Sequence, residues 1–139
     1  MFTSILQRTL GLVFTVYAVA KLPDMHGFVE AVANYQIAPF NLAPWDQVLA
    51  YSVVAGEIVV GVALLLGRYV QGALLGTLAL TLSFIVAICS VWARGIDIDC
   101  GCGGDVLKFD GYPSHLVVLS LMLTAIAYLI VDRAFPTPG

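Results

Sequence analysis

The residues best suited to chemistry in this chain are two cysteines, Cys100 and Cys102, which flank a single glycine. Cysteines at positions i and i+2 form a disulfide only where the chain turns between them, because the Cα atoms of a disulfide lie about 4.4–6.8 Å apart. Gly101 permits such a turn, since glycine accepts positive φ angles. A disulfide this short is expected to be strained, and strained, exposed disulfides are the labile, catalytic ones. The pair therefore favours thiol–disulfide exchange over a structural bridge.

Two other interpretations of the cysteine pair stay open. The residues could be ordinary loop cysteines in a glycine-rich turn, or two thiolates that bind a soft metal ion such as copper or mercury. Neither a methionine cluster nor a histidine pair lies near them in the sequence to complete a metal site. A calcium loop beginning at Asp97 is rejected, because its twelfth position is Lys108 rather than glutamate. We favour the redox interpretation.

Glu57 is the second candidate, because it is an acid near the middle of a long apolar run. A charged side chain at the centre of a membrane helix costs about 2.5 kcal/mol or more, so Glu57 should face the bundle interior or a polar cavity. Its expected partner is Lys21, or the hydroxyl of Tyr17 one turn earlier. A structural ion pair, a proton relay and a polar group beside a quinone all fit this arrangement.

Other residues carry weaker functional signals. Cys89 is expected to be a small apolar residue buried in a helix, rather than a third exchanging thiol. His115 opens the last helix close to the cysteine loop, where it could act on the thiols, although interfacial histidines are usually structural. Gly72 and Gly76 form a GxxxG pattern, which predicts a close helix–helix contact.

The composition places these residues in a membrane protein. Hydrophobic residues make up 60% of the 139 residues and charged residues only 11%, whereas soluble domains carry roughly 25% charged residues. The mean hydropathy is +0.97. Runs of about 20 apolar residues cross a bilayer as helices. The chain is therefore predicted to be all-α, an integral membrane four-helix bundle forming one domain over residues 1–139, with helices at about 4–22, 44–67, 69–93 and 113–131. The first run is interpreted as a membrane helix rather than a cleaved signal peptide, because Arg8 alone would form the positively charged region of such a peptide.

The connections between these helices differ in length. The segment 22–43 is predicted to contain a short outer amphipathic helix beginning near Asp24. Its apolar stripe consists of Phe28, Val32 and Tyr35. The segment 94–112 is a glycine-rich loop that carries the Cys-X-Cys pair.

The orientation in the membrane is predicted from charge and redox chemistry. An even number of helices puts both termini on one side, and the Lys and Arg residues near the helix ends divide equally between the two sides. Most of the acids lie on the side of the long loops. Because reversible disulfides belong in oxidising compartments, we expect a multi-pass protein of the inner (plasma) membrane with cytoplasmic termini and an extracytoplasmic cysteine loop.

Over essentially its whole length the chain resembles the MauE-type (methylamine utilisation) membrane proteins of the DoxX superfamily. The matching pieces are Arg8 with Gly11, residues 20–24, Phe28 to Pro39, Gly56 with Glu57, and Arg94 with Gly95 running into Asp99 to Cys102. The Cys-Gly-Cys sequence after the third helix is the specific part of the resemblance. The family pattern has an aromatic residue after the second cysteine, where this chain has Gly103.

The resemblance implies disulfide chemistry outside the cytoplasm beside a thioredoxin-like partner. Cys100 and Cys102 would be the redox pair, and Lys21 and Glu57 the polar pair within the membrane. Together with the residues themselves, this predicts a membrane thiol–disulfide oxidoreductase that passes electrons to a quinone between helices, with Lys21 and Glu57 handling protons. The alternatives are a soft-metal (copper or mercury) handling membrane protein and a non-catalytic assembly subunit. No nucleic-acid partner and no cofactor other than the quinone are expected.

Overall fold

The computed structural model describes residues 1–96 and 111–136. Within those two ranges all regular structure is helical, and no strand occurs. The helices are α1 (Phe2–Lys21), a short 3₁₀ helix (Leu22–Asp24), α2 (Met25–Asn34), α3 (Trp45–Leu66), α4 (Val70–Ala93) and α5 (Gly111–Ala134). The predicted all-α fold is confirmed.

The predicted membrane-spanning helices are present. Four helical segments are long and apolar enough to cross a membrane: Phe2–Asn34, Trp45–Leu66, Val70–Ala93 and Pro113–Ala134. Consecutive long helices run antiparallel, so α1 and α4 finish at the end of the bundle where α3 and α5 begin. We name this the loop end. Trp45 and Trp92 lie there and are 51% and 53% exposed, as expected for aromatic residues at a membrane–water interface.

The closest helix–helix approach that the glycines reveal is between α1 and α3. A Cβ atom on Gly11 would lie 2.8 Å from the carbonyl oxygen of Gly61, and one on Gly61 would lie 2.5 Å from Oγ1 of Thr15. No larger residue fits at either position without moving backbone. Small residues let membrane helices approach in this way, since apolar side chains gain little by leaving lipid for a protein neighbour.

The predicted GxxxG contact on α4 is wrong at one of its two positions. A Cβ atom on Gly76 would lie 2.7 Å from Cγ1 of Val60 on α3, so this glycine does face a neighbouring helix. Nothing lies within 4 Å of a Cβ on Gly72, which points away from the bundle. Residues four apart on a helix differ by about 40° in direction around its axis. Gly72 therefore lies outside the interface that Gly76 forms.

Three groups of apolar side chains form the core of the described residues, and the smallest is Ile88 of α4 with Leu119 of α5. The largest group joins α1, α3, α4 and α5 and contains Leu10, Phe14, Val60, Leu64, Val70, Ala73, Leu74, Ile126 and Leu129. The second group joins α1, α2 and α3 and contains Ala18, Phe28, Val29, Ala50 and Val54. The second group therefore attaches α2 to the loop end of the bundle.

The outer helix α2 begins where its sequence predicts. Oδ1 of Asp24 accepts a hydrogen bond from the backbone N–H of Gly27 at 2.9 Å, which satisfies a donor at the start of the helix. Phe28 is 7% exposed, so the apolar stripe faces the bundle. On the opposite, exposed face, Nε2 of His26 lies 3.3 Å from Oε1 of Glu30.

A buried amide ties three helices together at the end of the bundle that holds the termini. Nε2 of Gln7 on α1 donates to the carbonyl oxygen of Leu64 at 2.8 Å. That carbonyl is in the last turn of α3, where helix carbonyls lack partners within the helix. Nη2 of Arg133 on α5 donates to Oε1 of the same glutamine at 2.6 Å.

Candidate functional site

The residues predicted to do chemistry fall in two parts of the chain. Lys21 and Glu57 lie in the described bundle. Cys100 and Cys102 lie in the segment 97–110, outside the described residues. The helices on either side of that segment, α4 and α5, finish and begin at the loop end.

Lys21 and Glu57 form a direct ion pair inside the bundle. Nζ of Lys21 donates to Oε1 of Glu57 at 2.7 Å and to Oε2 at 2.8 Å. Both residues are 1% exposed. Lys21 is the last residue of α1 and Glu57 lies midway along α3, so the close packing of these two helices brings the charges together. Of the two partners expected for Glu57, the one it binds is therefore Lys21.

Two aromatic rings complete the surroundings of the ammonium group. Nζ of Lys21 lies 5.0 Å from the ring centroid of Phe28 on α2 and 5.4 Å from that of Phe84 on α4. A cation within about 6 Å of a ring face is attracted by the ring quadrupole, most strongly where water is excluded. The ammonium group is thus held by four helices, and its charge is balanced by the carboxylate.

Burial makes each member of the pair dependent on the other. Removing one partner from a buried ion pair costs about 3–5 kcal/mol, because the other charge stays buried and uncompensated. A pair of apolar residues of similar volume would be equally stable or more stable. Stability alone is therefore a weak reason for this chain to place charges inside an apolar bundle.

The carboxylate of Glu57 also borders a small cavity, which we name the Glu57 cavity. Its protic lining residues are Tyr17, Glu57 and His115, and its volume is about 30 Å³. A buried water needs about 10–15 Å³ on this measure and two to four polar partners. The cavity can therefore hold about two water molecules between the acid and the imidazole. His115 lies one turn into α5, just after the segment that carries Cys100 and Cys102.

Only the tertiary structure shows that His115 lies near Glu57. From the sequence, it was expected to act on the cysteine loop or to be merely interfacial. In the bundle its side chain lines the cavity that Glu57 borders. Protic side chains of α1, α3 and α5 thus line one cavity.

Arg94 is a structural residue that the sequence identified only as a cation and a point of family resemblance. Its Nη1 donates to the carbonyl oxygen of Gln36 at 3.1 Å and its Nη2 to that of Tyr35. Its Nε donates to the carbonyl oxygen of Ser90 at 3.2 Å. One guanidinium group thus binds carbonyls at the ends of both α2 and α4. It fastens the outer helix to the point where α4 leads into the cysteine segment.

The predicted burial of Cys89 is wrong. Cys89 is exposed on the outer surface of α4 rather than buried in the bundle. Its neighbours Ile88 and Val91 are 0% exposed and take the inward positions. In a helix that is apolar all round, hydrophobicity does not say which face is inside, so a cysteine fits the lipid side equally well.

The bundle itself offers no metal site among the described residues. Across residues 1–96 and 111–136, no three His, Cys, Asp or Glu side chains are grouped so that they could hold a metal ion. Cys100 and Cys102, on which the soft-metal alternative rests, lie outside those ranges.

Comparison with known proteins agrees with this architecture. Residues 1–132 match the family model for methylamine utilisation protein MauE. No curated protein and no solved structure matches the chain. The match covers α1 to α4, the cysteine segment and most of α5, so it includes every residue of the candidate site. The chain is a multi-pass membrane protein with four helices suited to spanning a bilayer, and it belongs to the MauE family of methylamine utilisation proteins.

Proposed function

We propose that this protein is a membrane thiol–disulfide oxidoreductase. Cys100 and Cys102 form its redox pair, and a thioredoxin-like protein outside the cytoplasm is its exchange partner. The observation that supports the proposal most directly is the buried Lys21–Glu57 pair. It borders a cavity shared with His115, at the end of the bundle to which the cysteine segment is attached. An apolar bundle gains no stability from such groups, whereas a redox centre that also exchanges protons requires them.

The exchange passes through a mixed disulfide between the two proteins. A thiolate of the reduced partner attacks one sulfur of the Cys100–Cys102 disulfide, and the other sulfur of that pair leaves as a thiolate. The second thiolate of the partner then attacks the mixed disulfide, which leaves the partner oxidised and the Cys100–Cys102 pair reduced. Two electrons pass to the cysteine pair, and each thiolate takes up one proton. The same steps in reverse would reduce the partner.

The reduced cysteine pair must be reoxidised before it can act again. We assign this step to a lipid-soluble quinone: the dithiol becomes a disulfide, and the quinone becomes a quinol by accepting two electrons and two protons. Lys21 and Glu57 handle these protons within the bundle. Water in the Glu57 cavity would connect them to His115, which lies next to the cysteine segment in the sequence.

The redox proposal also assigns a side of the membrane. Disulfides persist outside the cytoplasm and are rare inside it. The loop end, where Trp45 and Trp92 lie, is therefore placed at the extracytoplasmic surface of the plasma membrane. The termini and the Gln7–Arg133 contact then lie at the cytoplasmic surface.

Thiol trapping tests this function. Membranes would be quenched in acid and labelled with a mass-adding maleimide, with and without prior reduction. We expect two additional labels after reduction, both mapping to Cys100 and Cys102, while Cys89 labels equally in both samples. Cys89 is thus an internal control for access of the reagent. Full labelling of all three cysteines without reduction would contradict a resting disulfide and make metal analysis of the reduced protein the next measurement.

A single-cysteine variant tests the partner. In a single-cysteine variant, the remaining thiolate attacks the disulfide of the oxidised partner. The mixed disulfide that forms has no second thiolate of the Cys100–Cys102 pair to resolve it. Either Cys100→Ser or Cys102→Ser should therefore accumulate an adduct with a thioredoxin-like protein, which reductant would reverse. The double variant should accumulate none. If the double variant instead supports full function, the protein is an assembly subunit in which the cysteines are incidental.

A further inference from the structure

A second cavity lies beneath α2, and we name it the α2 cavity. Its volume is about 120 Å³, several times that of the Glu57 cavity. Aromatic side chains from three parts of the chain line it: Phe28 of α2, Tyr35 and Phe40 of the α2–α3 connection, and Phe84 of α4. Val53 of α3 and Ala87 of α4 are also among the lining residues.

The size of the α2 cavity matches one six-membered ring. An engineered protein cavity of about 150 Å³ with apolar walls binds benzene. The α2 cavity is of the same order, and its lining is almost entirely apolar. The Glu57 cavity is too small for a ring and suits water instead. The structure therefore separates a place for a flat organic molecule from a place for protons.

The two cavities share a lining residue that also contacts the ion pair. Phe84 lines both of them. Phe28 lines the α2 cavity, and both rings face the ammonium group of Lys21 at 5.0 and 5.4 Å. A ligand in the α2 cavity would consequently pack against the same aromatic side chains that enclose the Lys21–Glu57 pair.

We propose that the α2 cavity binds the ring of a lipid-soluble quinone. This inference rests on the proposed function, in which a quinone takes two electrons and two protons from the reduced cysteine pair and becomes a quinol. A quinone ring is flat, neutral and electron-poor, so it stacks favourably on the electron-rich faces of phenylalanine and tyrosine. It also carries no charge that these apolar walls would leave unpaired. The helix α2, held at its two ends by the Asp24 cap and by Arg94, forms the outer wall of the site.

The aromatic lining favours a ring over a lipid acyl chain. A flexible chain gains dispersion contacts from any apolar wall and loses rotational freedom when it is confined. A rigid ring loses little freedom on binding, and it gains the directional attraction between aromatic faces. An acyl chain is therefore the competing occupant that the experiment must exclude.

Photolabelling of the full-length protein tests the site. The protein would be purified in detergent as a variant in which all three cysteines are replaced by Ser or Ala, because thiols add to quinones. The probe is a short-chain benzoquinone that carries a photoreactive azide. We expect saturable labelling of residues 28–40, 49–53 and 83–87, which unlabelled short-chain benzoquinone displaces and excess oleate does not.

Matched substitutions on α4 give the contrast. Ala87→Phe places a ring inside the cavity and should weaken labelling about tenfold, because the new side chain occupies the space that the ligand needs. Ala79→Phe is the same change on the same helix at an exposed position, and it should alter labelling by less than about twofold. Val53→Phe fills the cavity from α3 and should reproduce the effect of Ala87→Phe. Thermal unfolding of each variant would show that the loss is not a loss of fold.

Two results would overturn the site. Equal displacement by oleate would assign the cavity to lipid chains, and unchanged labelling in folded Ala87→Phe and Val53→Phe variants would place the quinone elsewhere. Failure of the proposed function is a separate result, because it is measured by thiol trapping on the protein with its native cysteines. Saturable quinone binding together with reduced resting thiols would retain the site and remove the disulfide role.

Discussion

Lys21, the last residue of α1, donates two hydrogen bonds to the carboxylate of Glu57, midway along α3, at 2.7 and 2.8 Å. Both side chains are enclosed by apolar and aromatic residues, and 36 positions separate them in the chain. Each charge therefore has a defined partner although both side chains are buried. The pair links the stability of the bundle to its proposed proton chemistry, and the two roles can be separated experimentally.

Single and double replacement of the pair should change the free energy of unfolding by very different amounts. Lys21→Met or Glu57→Met alone should lower the free energy of unfolding by about 3–5 kcal/mol, because each leaves one buried charge without a partner. The double variant should be close to the native protein, since no buried charge remains. Denaturant unfolding in detergent, arranged as a double-mutant cycle, measures this. Additive losses in the double variant would contradict a mutually dependent pair.

Glu57→Gln keeps the shape of the side chain and removes its exchangeable proton. Because it also leaves the Lys21 ammonium without a counter-charge, turnover is measured on variant protein that thermal unfolding shows to be folded. We expect quinone-coupled turnover of the partner dithiol to fall about 10²-fold, the lower end of the range for general acid–base groups. Glu57→Asp should restore part of the rate. Glu30→Gln, an exposed acid on α2, is the control and should be neutral. Unchanged turnover in Glu57→Gln would remove the assigned role.

The approach of α1 to α3 predicts opposite effects for one substitution at two glycines. Gly61→Ala should destabilise the protein by about 1–3 kcal/mol, because its Cβ would lie 2.5 Å from Oγ1 of Thr15 and 2.9 Å from the backbone nitrogen of that residue. Gly72→Ala should stabilise it by up to about 1 kcal/mol, since nothing lies within 4 Å and alanine favours a helix. Thermal unfolding in detergent compares the two. Equal shifts would indicate that α1 and α3 can separate freely.

Arg94 should control the outer helix rather than the bundle as a whole. In Arg94→Ala, the backbone amides of Tyr35 and Gln36 should exchange with solvent about tenfold faster, because charge-assisted bonds to their carbonyls are lost. Hydrogen exchange followed by mass spectrometry would report this over residues 32–36. Arg68→Ala, at the opposite end of the bundle, is the control and should leave that segment unchanged. If Arg94→Ala left it unchanged too, the two contacts to the carbonyls of Tyr35 and Gln36 would have no role in fixing α2.

Much of the site could be anticipated from particular residues. Glu57 is an acid in a long apolar run, and the penalty for leaving it in lipid predicted a polar partner inside the bundle. Lys21 was one of two candidates for that partner, and geometry selected it. The Asp24 cap and the apolar stripe of α2 were also readable, since both follow from local spacing.

Other features depended on how helix faces meet. Gly11 and Gly61 belong to different helices, and neither stands in a GxxxG pattern, so no single segment reveals their contact. Gly72 and Cys89 were assigned to the inside from patterns that a helix surrounded by lipid does not constrain. His115 acquired a relation to Glu57 only when α5 packed beside α4 and α1.

The sequence by itself determined that this is a membrane protein of four long helices. It also placed an acid within the second helix and a cysteine pair between the third and the fourth. Hydrophobicity summed over about 20 residues decides insertion into a bilayer, and this sum is a local property of the chain. The tertiary structure alone decided which faces pack, that Lys21 meets Glu57, and that Phe84 lines both a water-sized cavity and a ring-sized cavity. The physical reason is that lipid is as apolar as the side chains it surrounds. Helix faces in a membrane are therefore chosen by close contacts and polar partners, which join residues far apart in sequence.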